Sequence, residues 1–424
     1  MRIAFSTLGC KINQYETDLM QQDLASKGNT IVSFDDEADI YIVNTCSVTA
    51  KSDYQSRQVI RSAARRARGG RVVVTGCYAS TRPEEIKKLP GVSLVINNRE
   101  KPMIHDYLIP EDPSRAGAVS SLVTKGLNEA HGRTRGSLKI QDGCDNACSY
   151  CIVPLARGRS RSAAPGEVLK EFTRQVQAGC PEIVLTGIHI GRYGADLSPA
   201  MDLTELLTTL VPARDRSRVR LSSIEPKEIT AAMIGLLGNG LCRHLHIPLQ
   251  SGDDTILAAM KRDYSSGFYL DLVQRIANCV PGIALGADVM VGFPGEGDAE
   301  FQNTVKFIEK SPLTHLHVFS YSQRQGTEAA AMKNQVPVAV KKQRSAALRE
   351  LGKRKNLHFR KKFLGLELEI IVEDKIDAAT GFLSGFTENY IRIAVRSAKA
   401  ENIGKNIKVR ISEVNEESTV SVIC

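Results

Sequence analysis

No apolar run in this 424-residue chain approaches the roughly 20 residues that a membrane-spanning helix needs. The amino-terminal stretch does not combine a charged region with an apolar one, so no secretory leader is expected. Leu8-Gly9-Cys10 faintly matches a lipoprotein cleavage site, but nine residues are too few to precede one. The ten cysteines are dispersed, not crowded into a short disulfide framework. That leaves reduced, cytoplasmic thiols available to metal. Aromatic residues are few (5%), and the hydrophobic 42% and charged 24% describe an ordinary soluble chain, long enough for two or three domains.

What is present is concentrated. The formal charge is +9, and residues 341–362 hold ten Lys or Arg against one Glu, an excess equal to that of the whole chain. Such a band is either an electrostatic footprint for a polyanion or a solvated helix face. Cys144, Cys148 and Cys151 form a C-x3-C-x2-C run just after the apolar segment Leu138 to Gln141. Iron–sulfur clusters are usually held by four thiolates, so three leave one iron open, which marks a catalytic centre. A structural zinc loop needs a fourth ligand close by. The nearest candidates, His131 and Cys180, lie at no zinc-finger spacing.

The cysteine run, with Tyr150 just before its last member, resembles the signature of the radical S-adenosylmethionine (SAM) enzymes. The resemblance implies a 4Fe-4S cluster on Cys144, Cys148 and Cys151. In that family SAM occupies the open iron and is cleaved to a radical that takes hydrogen from an unreactive carbon, and the same is expected here.

From Met1 to about Lys125, strand-like runs alternate with helical stretches: Ile3 to Leu8, Ile40 to Val43 and Arg71 to Val74 each precede a helix. This alternation predicts a mainly parallel sheet with helices on its faces. Cys10, Cys46 and Cys77 each follow one of these strands, in the loop before the helix, beside Gly9, Thr45 and Gly76. Such loops share one sheet edge, where ligands bind, so three distant thiols are expected to converge on a second cluster.

Two trios in this order resemble the methylthiotransferases. That family carries an amino-terminal domain with an auxiliary 4Fe-4S cluster, a central radical SAM domain and a carboxyl-terminal β-barrel called TRAM. The resemblance implies domains over 1–125, 126–363 and 364–424. The string from Leu8 to Glu16 (LGCKINQYE) looks like the branch that modifies threonylcarbamoyladenosine next to the tRNA anticodon, at position 37.

Six strand–helix units, starting before Cys144, predict a partial, open barrel with ligands at the carboxyl ends of its strands. Thr186-Gly187, Ser222, Gln250 and Gly292 fall at those ends. Thr186-Gly187 matches the place where the superfamily holds the SAM amino group, and with Tyr150 these residues are the expected cofactor contacts. His246 alternates within an apolar strand and reads as a satisfied barrel histidine in preference to a ligand. Arg157, Arg159 and Arg161 follow the cluster loop and read as RNA or cofactor contacts, whereas Ala163 stands where family members often have a further arginine. Arg57, Arg61 and Arg65 share a helix face that either meets tRNA phosphates or is simply solvated. Cys180 and Cys279 read as packing residues.

Residues from about 110 to 136 are rich in Gly and Pro and read as a linker. Beyond Gly365, β-branched runs with glycine turns predict a small antiparallel barrel. Its Phe382, Phe386 and Tyr390 either stack on bases or fill the barrel core, with core favoured. The expected reaction is insertion of a methylthio group at carbon 2 of threonylcarbamoyladenosine, with the anticodon stem-loop of tRNA as substrate. An electron donor of flavodoxin or ferredoxin type, a sulfur donor of unknown identity and a monomeric state are implied. The alternatives are a sister branch acting on isopentenyladenosine or on a ribosomal-protein aspartate, and a non-catalytic, zinc-containing RNA-binding protein.

Overall fold

The chain is described from a computed structural model covering residues 1–108 and 134–424. His131 and the linker expected over 110–136, up to position 133, lie outside the described residues. Two compact units are each discontinuous in sequence. The first comprises the described residues of Met1–His131 with Lys139–Ala163 and Ser322–Ala330. The second comprises those of Gly132–Leu138 with Ala164–Tyr321 and Ala331–Cys424.

The first unit is built on β1 (Arg2–Thr7), β2 (Thr30–Val32), β3 (Ile40–Thr45), β4 (Arg71–Gly76) and β5 (Val92–Val95), in the order β2-β1-β3-β4-β5 with every pair parallel. Strand alternation sorts the apolar residues onto two faces. Ile3, Phe5, Ile40, Ile42 and Val73 pack on Met20 and Leu24 of the helix Lys11–Ser26. Ala4, Tyr41, Val43, Val72 and Val74 pack on Ile60 and Ala63 of the helix Ala50–Arg66. All six residues of β3 are buried, as a central parallel strand requires. Burying each such aliphatic side chain contributes about 1.5–3 kcal/mol. The short β2 and β5 give little pattern in the sequence and are the two strands the alternation did not reveal.

Next come β6 (Gly136–Lys139) and the antiparallel pair β7 (Gln141–Asp142) and β8 (Arg161–Ser162), which brackets the cysteine run 144–151.

In the second unit, β9 (Glu182–Thr186) and β10 (Arg218–Leu221) join β6 in one three-stranded sheet, ordered β10-β9-β6. A second sheet holds β11 (His244–His246), β12 (Ala284–Val291) and β13 (His315–Ser320), all parallel. An isolated parallel bridge, Val219 to Leu241, links them. Six strands in this arrangement form the expected open barrel. The chain ends in β14 (Glu367–Ile376), β15 (Leu383–Thr387), β16 (Arg392–Val395), β17 (Asn406–Val414) and β18 (Thr419–Ile423), closed in the order β14-β15-β16-β18-β17. Its pairings are antiparallel except β16 with β18, a parallel pair that closes the barrel.

The small barrel's core is aliphatic, with Ile370, Val372, Ile393, Val395, Val409 and Ile411 at its centre. Phe386 and Tyr390 therefore neither fill that core nor stand free for bases. They stack on each other at 4.9 Å, and Arg135 and Arg220 lie over their rings at 4.7 and 4.9 Å. Arg220 is fully buried and also donates to both oxygens of Glu182 and to the carbonyls of Thr387 and Glu388. The small barrel is thus tied to β10 through Arg220, whose charge is balanced by Glu182 on β9.

The basic helix Val338–Lys361 divides its charges. Arg344 pairs with Glu296 and Asp298, Arg360 and Lys355 donate to carbonyls, and Lys341 covers Tyr321. Lys342, Arg349, Lys353, Arg354, Lys361 and Lys362 remain exposed. Only part of the band is available to a polyanion.

Candidate functional site

Cys10, Cys46 and Cys77 all stand at the carboxyl edge of the first unit's sheet. Cys10 caps the helix Lys11–Ser26, Cys46 follows β3 directly, and Cys77 opens the helix Cys77–Thr81 after β4. Two glycines make the approach possible. Gly76 has φ 103°, and a Cβ there would lie 2.2 Å from the Thr45 carbonyl oxygen. Gly9 has φ 100°, and its Cβ would lie 2.9 Å from Cys46 Sγ. Cys46 is buried, which pushes its thiol pKa up, and the neighbouring thiols of Cys77 and Cys10 add to that effect. Three thiols brought together at one sheet edge form a donor set suited to a cation, whose charge would offset the penalty on Cys46.

The second trio lies on a loop pinned at both ends. Gly143 has φ 74° and a Cβ there would sit 2.0 Å from the Arg159 carbonyl oxygen. The Cys144 amide donates to the Gly158 carbonyl at 3.1 Å, and the Cys151 amide to the Cys148 carbonyl at 3.0 Å. The Asn146 amide donates to Cys144 Sγ at 3.4 Å, as backbone amides do toward cluster thiolates. Gln141 Nε2 bridges the carbonyls of Asp142 and Gly143 and the Ser160 hydroxyl. The half-buried Tyr150 precedes Cys151.

Between these loops in the same unit lies a buried ionic network with no short-range signal in the sequence. Glu16 accepts from Lys101 at 2.6 Å, Lys139 at 2.8 Å and Arg157 at 2.7 Å. Asp142 accepts from Lys139 at 2.8 Å and Arg157 at 3.1 Å, and Arg157 also donates to Asn13 Oδ1 at 2.7 Å. Burial opposes ionisation of both acids, but the surrounding cations outweigh it: Glu16 is held well below the carboxylate range and Asp142 falls to about 2. Burial also opposes the charge on Arg157, and Glu16, Cys77 and Asp142 overcome it. Three cations against two carboxylates leave a positive excess beside Cys77, suited to an anionic thiolate centre.

Arg157 is therefore no RNA contact. It is 2% exposed and committed to two carboxylates. Arg159 is exposed, and Arg161 lies 4.0 Å from Asp142. On the helix Ala50–Arg66, Arg57 donates to Tyr78 and Glu85 while Arg61 and Arg65 are exposed. Arg324, which the sequence did not single out, donates to Ser47 at 2.8 Å and Asp53 at 2.5 Å, and so braces the segment after Cys46.

The expected SAM contacts Thr186, Gly187, Ser222, Gln250 and Gly292 belong to the second unit, at the carboxyl ends of β9, β10, β11 and β12. Ser222 Oγ and Gln250 Oε1 are buried without a hydrogen-bond partner. Gln250 also holds φ 65°, unusual for a residue with a side chain. Orphaned buried polar atoms of this kind fit a polar ligand such as SAM. Gly292 donates to Glu296 Oε1 at 2.8 Å and has φ 73°, and a Cβ there would lie 2.4 Å from Lys341 Cγ.

Of the remaining cysteines, Cys180 is buried and accepts from the Gly136 amide at 3.1 Å. Burial raises Cys242 to about 12, which keeps it an inert thiol. Cys279 is exposed at the end of the helix Ser266–Cys279, not packed as its periodicity suggested.

Comparison with known proteins agrees with this geometry. The uncharacterized protein family UPF0004 matches residues 2–97 and the Radical SAM superfamily matches residues 138–308. The threonylcarbamoyladenosine tRNA methylthiotransferase MtaB of Bacillus subtilis is 40% identical, over 99% of this chain and 97% of that protein. MtaB of Thermotoga maritima is 34% identical over 99% and 96%. A tRNA-2-methylthio-N(6)-dimethylallyladenosine synthase of Desulfitobacterium hafniense is 30% identical over 96% and 94%. Among solved structures, the radical SAM methyltransferase TsrM of Kitasatospora setae, with cobalamin and a 4Fe-4S cluster bound, has a TM-score of 0.59 at 16% identity, covering 78% of this chain and 77% of that one. That likeness is one of fold.

Proposed function

This chain belongs to the radical SAM tRNA methylthiotransferases, and from that premise we propose that its two cysteine trios divide one reaction between them. The enzyme adds a methylthio group to carbon 2 of N6-threonylcarbamoyladenosine at tRNA position 37. The observation that supports this branch most strongly is the 40% identity along 99% of the chain to a threonylcarbamoyladenosine enzyme. The dimethylallyladenosine relatives stand at 30–32%.

The carbon 2 hydrogen has no useful acidity, so side-chain acid–base groups have little to act on. When bound, two 4Fe-4S clusters and SAM supply the one-electron chemistry that removes this hydrogen and the methyl carried on the incoming sulfur, which comes from a separate donor. Cys144, Cys148 and Cys151 would hold the cluster that takes SAM. Cys10, Cys46 and Cys77 would hold the auxiliary one. Each trio leaves one iron without a protein ligand, which is the position an exchangeable group needs. Thr186, Gly187, Ser222, Gln250, Gly292 and Tyr150 are assigned to orient SAM, and two orphaned polar atoms support that assignment.

The remaining assignments are a cytoplasmic monomer, an electron donor of flavodoxin or ferredoxin type, and the anticodon stem-loop as the part of tRNA engaged. Among the described residues no helix is long and apolar enough to cross a membrane.

Mass spectrometry of tRNA nucleosides from a deletion strain tests the substrate. Loss of 2-methylthio-N6-threonylcarbamoyladenosine, with the isopentenyl counterpart unchanged, is the expected result. An unchanged level contradicts the assignment.

A further inference from the structure

One face of the second sheet carries a polar layer that the reaction above does not use. His246 on β11, Asp288 on β12 and His317 on β13 lie side by side across three parallel strands. The register pairs Asp288 with His317 and sets His246 opposite Gly286, two residues along the same face from Asp288. One carboxylate oxygen, Asp288 Oδ1, lies 3.1 Å from His246 Nε2 and 3.5 Å from His317 Nδ1. All three atoms fall within 4.8 Å of one another.

Hydrogen bonding accounts for the shorter distance, but 3.5 Å is at the limit for an N–H to oxygen bond. Both match the edges of a coordination shell: ligands at about 2.0–2.1 Å from a tetrahedral ion are roughly 3.4 Å apart. The strand between them also makes room. A Cβ at Gly286 would lie 2.8 Å from His246 Nδ1 and 2.1 Å from His315 Nε2, so any larger residue would displace the imidazoles. The two ligating rings stand 4.8 Å apart, tilted by 32°.

We propose that His246 Nε2, Asp288 Oδ1 and His317 Nδ1 bind a single divalent first-row transition ion, distinct in its ligands from the cysteine sites. Two imidazoles and one carboxylate are the donor set of catalytic zinc and of mononuclear iron(II), and three protein ligands leave a position for water or an anionic oxygen donor. His317 is the entry side, with 67% of its side chain exposed against 8% for His246. The ion is thus loaded from solvent onto two ligands already held by packing.

The test uses the full-length holoenzyme with both clusters built anaerobically, equilibrated with zinc chloride and analysed for zinc and iron together. One zinc per chain is expected, with nitrogen and oxygen neighbours in its X-ray absorption spectrum. His317→Ala and Asp288→Asn should each weaken zinc binding more than tenfold while iron content and circular dichroism stay unchanged. Because His317 is exposed, its truncation leaves the core intact and decides the question even if Asp288→Asn misfolds. Zinc retained in His317→Ala, a sulfur-ligated zinc, or no zinc in the wild type would each overturn the proposal.

Discussion

Asn98 joins Cys77 to the helix that follows the second cysteine trio: its Nδ2 donates to the Ala156 carbonyl at 2.8 Å and to Cys77 Sγ at 3.6 Å. Ala156 lies on the helix Val153–Arg157, which begins two residues after Cys151 and packs against the helix that Cys77 opens. A hydrogen bond to a cluster sulfur stabilises the more negative state. Asn98→Ala should therefore lower the auxiliary cluster's midpoint potential, by on the order of 50 mV for a bond of about 1 kcal/mol. Redox titration followed by electron paramagnetic resonance reads the shift, and an unchanged potential rejects the role.

The Glu16 network makes a prediction about stability. Glu16→Gln leaves Lys101, Lys139 and Arg157 short of a counter-charge in a buried place, at a cost of about 3–5 kcal/mol. Hydrogen exchange at residues 11–26 and 153–157 should rise accordingly.

The same network sets an acid limit. Both carboxyls are held below their ordinary values, so their contribution is complete above the unfolded-state values near 4. It is lost as pH falls through the folded values, about 2 for Asp142. Circular dichroism melts of the wild type should drop between pH about 4 and 2. Glu16→Gln should show a weaker dependence there.

Splitting the basic helix separates binding from folding. Neutralising the exposed Lys342, Lys353 and Arg354 should reduce the salt slope of tRNA binding by roughly 2–3 with little change in stability. Arg344→Gln should do the reverse, because Arg344 is occupied by Glu296 and Asp298.

The cysteines and the layered fold were legible because their signals are local. Cys144, Cys148 and Cys151 share eight residues, and Cys10, Cys46 and Cys77 each mark the end of an apolar run. The ionic network was not legible: Glu16 and Arg157 are 141 positions apart, and nothing near either announces a partner. Of the two readings of Arg157, RNA contact fails for the same reason, since an arginine among arginines resembles a surface residue until its carboxylates are placed. Phe386 and Tyr390 show the limit of pattern within a small barrel. Their partners, Arg135 just before β6 and Arg220 on β10, come from distant parts of the chain, and only the tertiary arrangement decides between core, ligand and docking roles.

The central claim is that the chain carries two independent three-thiolate sites. Iron and sulfide counts on anaerobically reconstituted proteins test it most directly. The wild type should hold about eight irons per chain, and replacing either Cys10, Cys46 and Cys77 or Cys144, Cys148 and Cys151 by alanine should leave about four, with SAM cleavage surviving only the first replacement. Loss of all iron from either variant, or stoichiometric zinc without sulfide in the wild type, would contradict it.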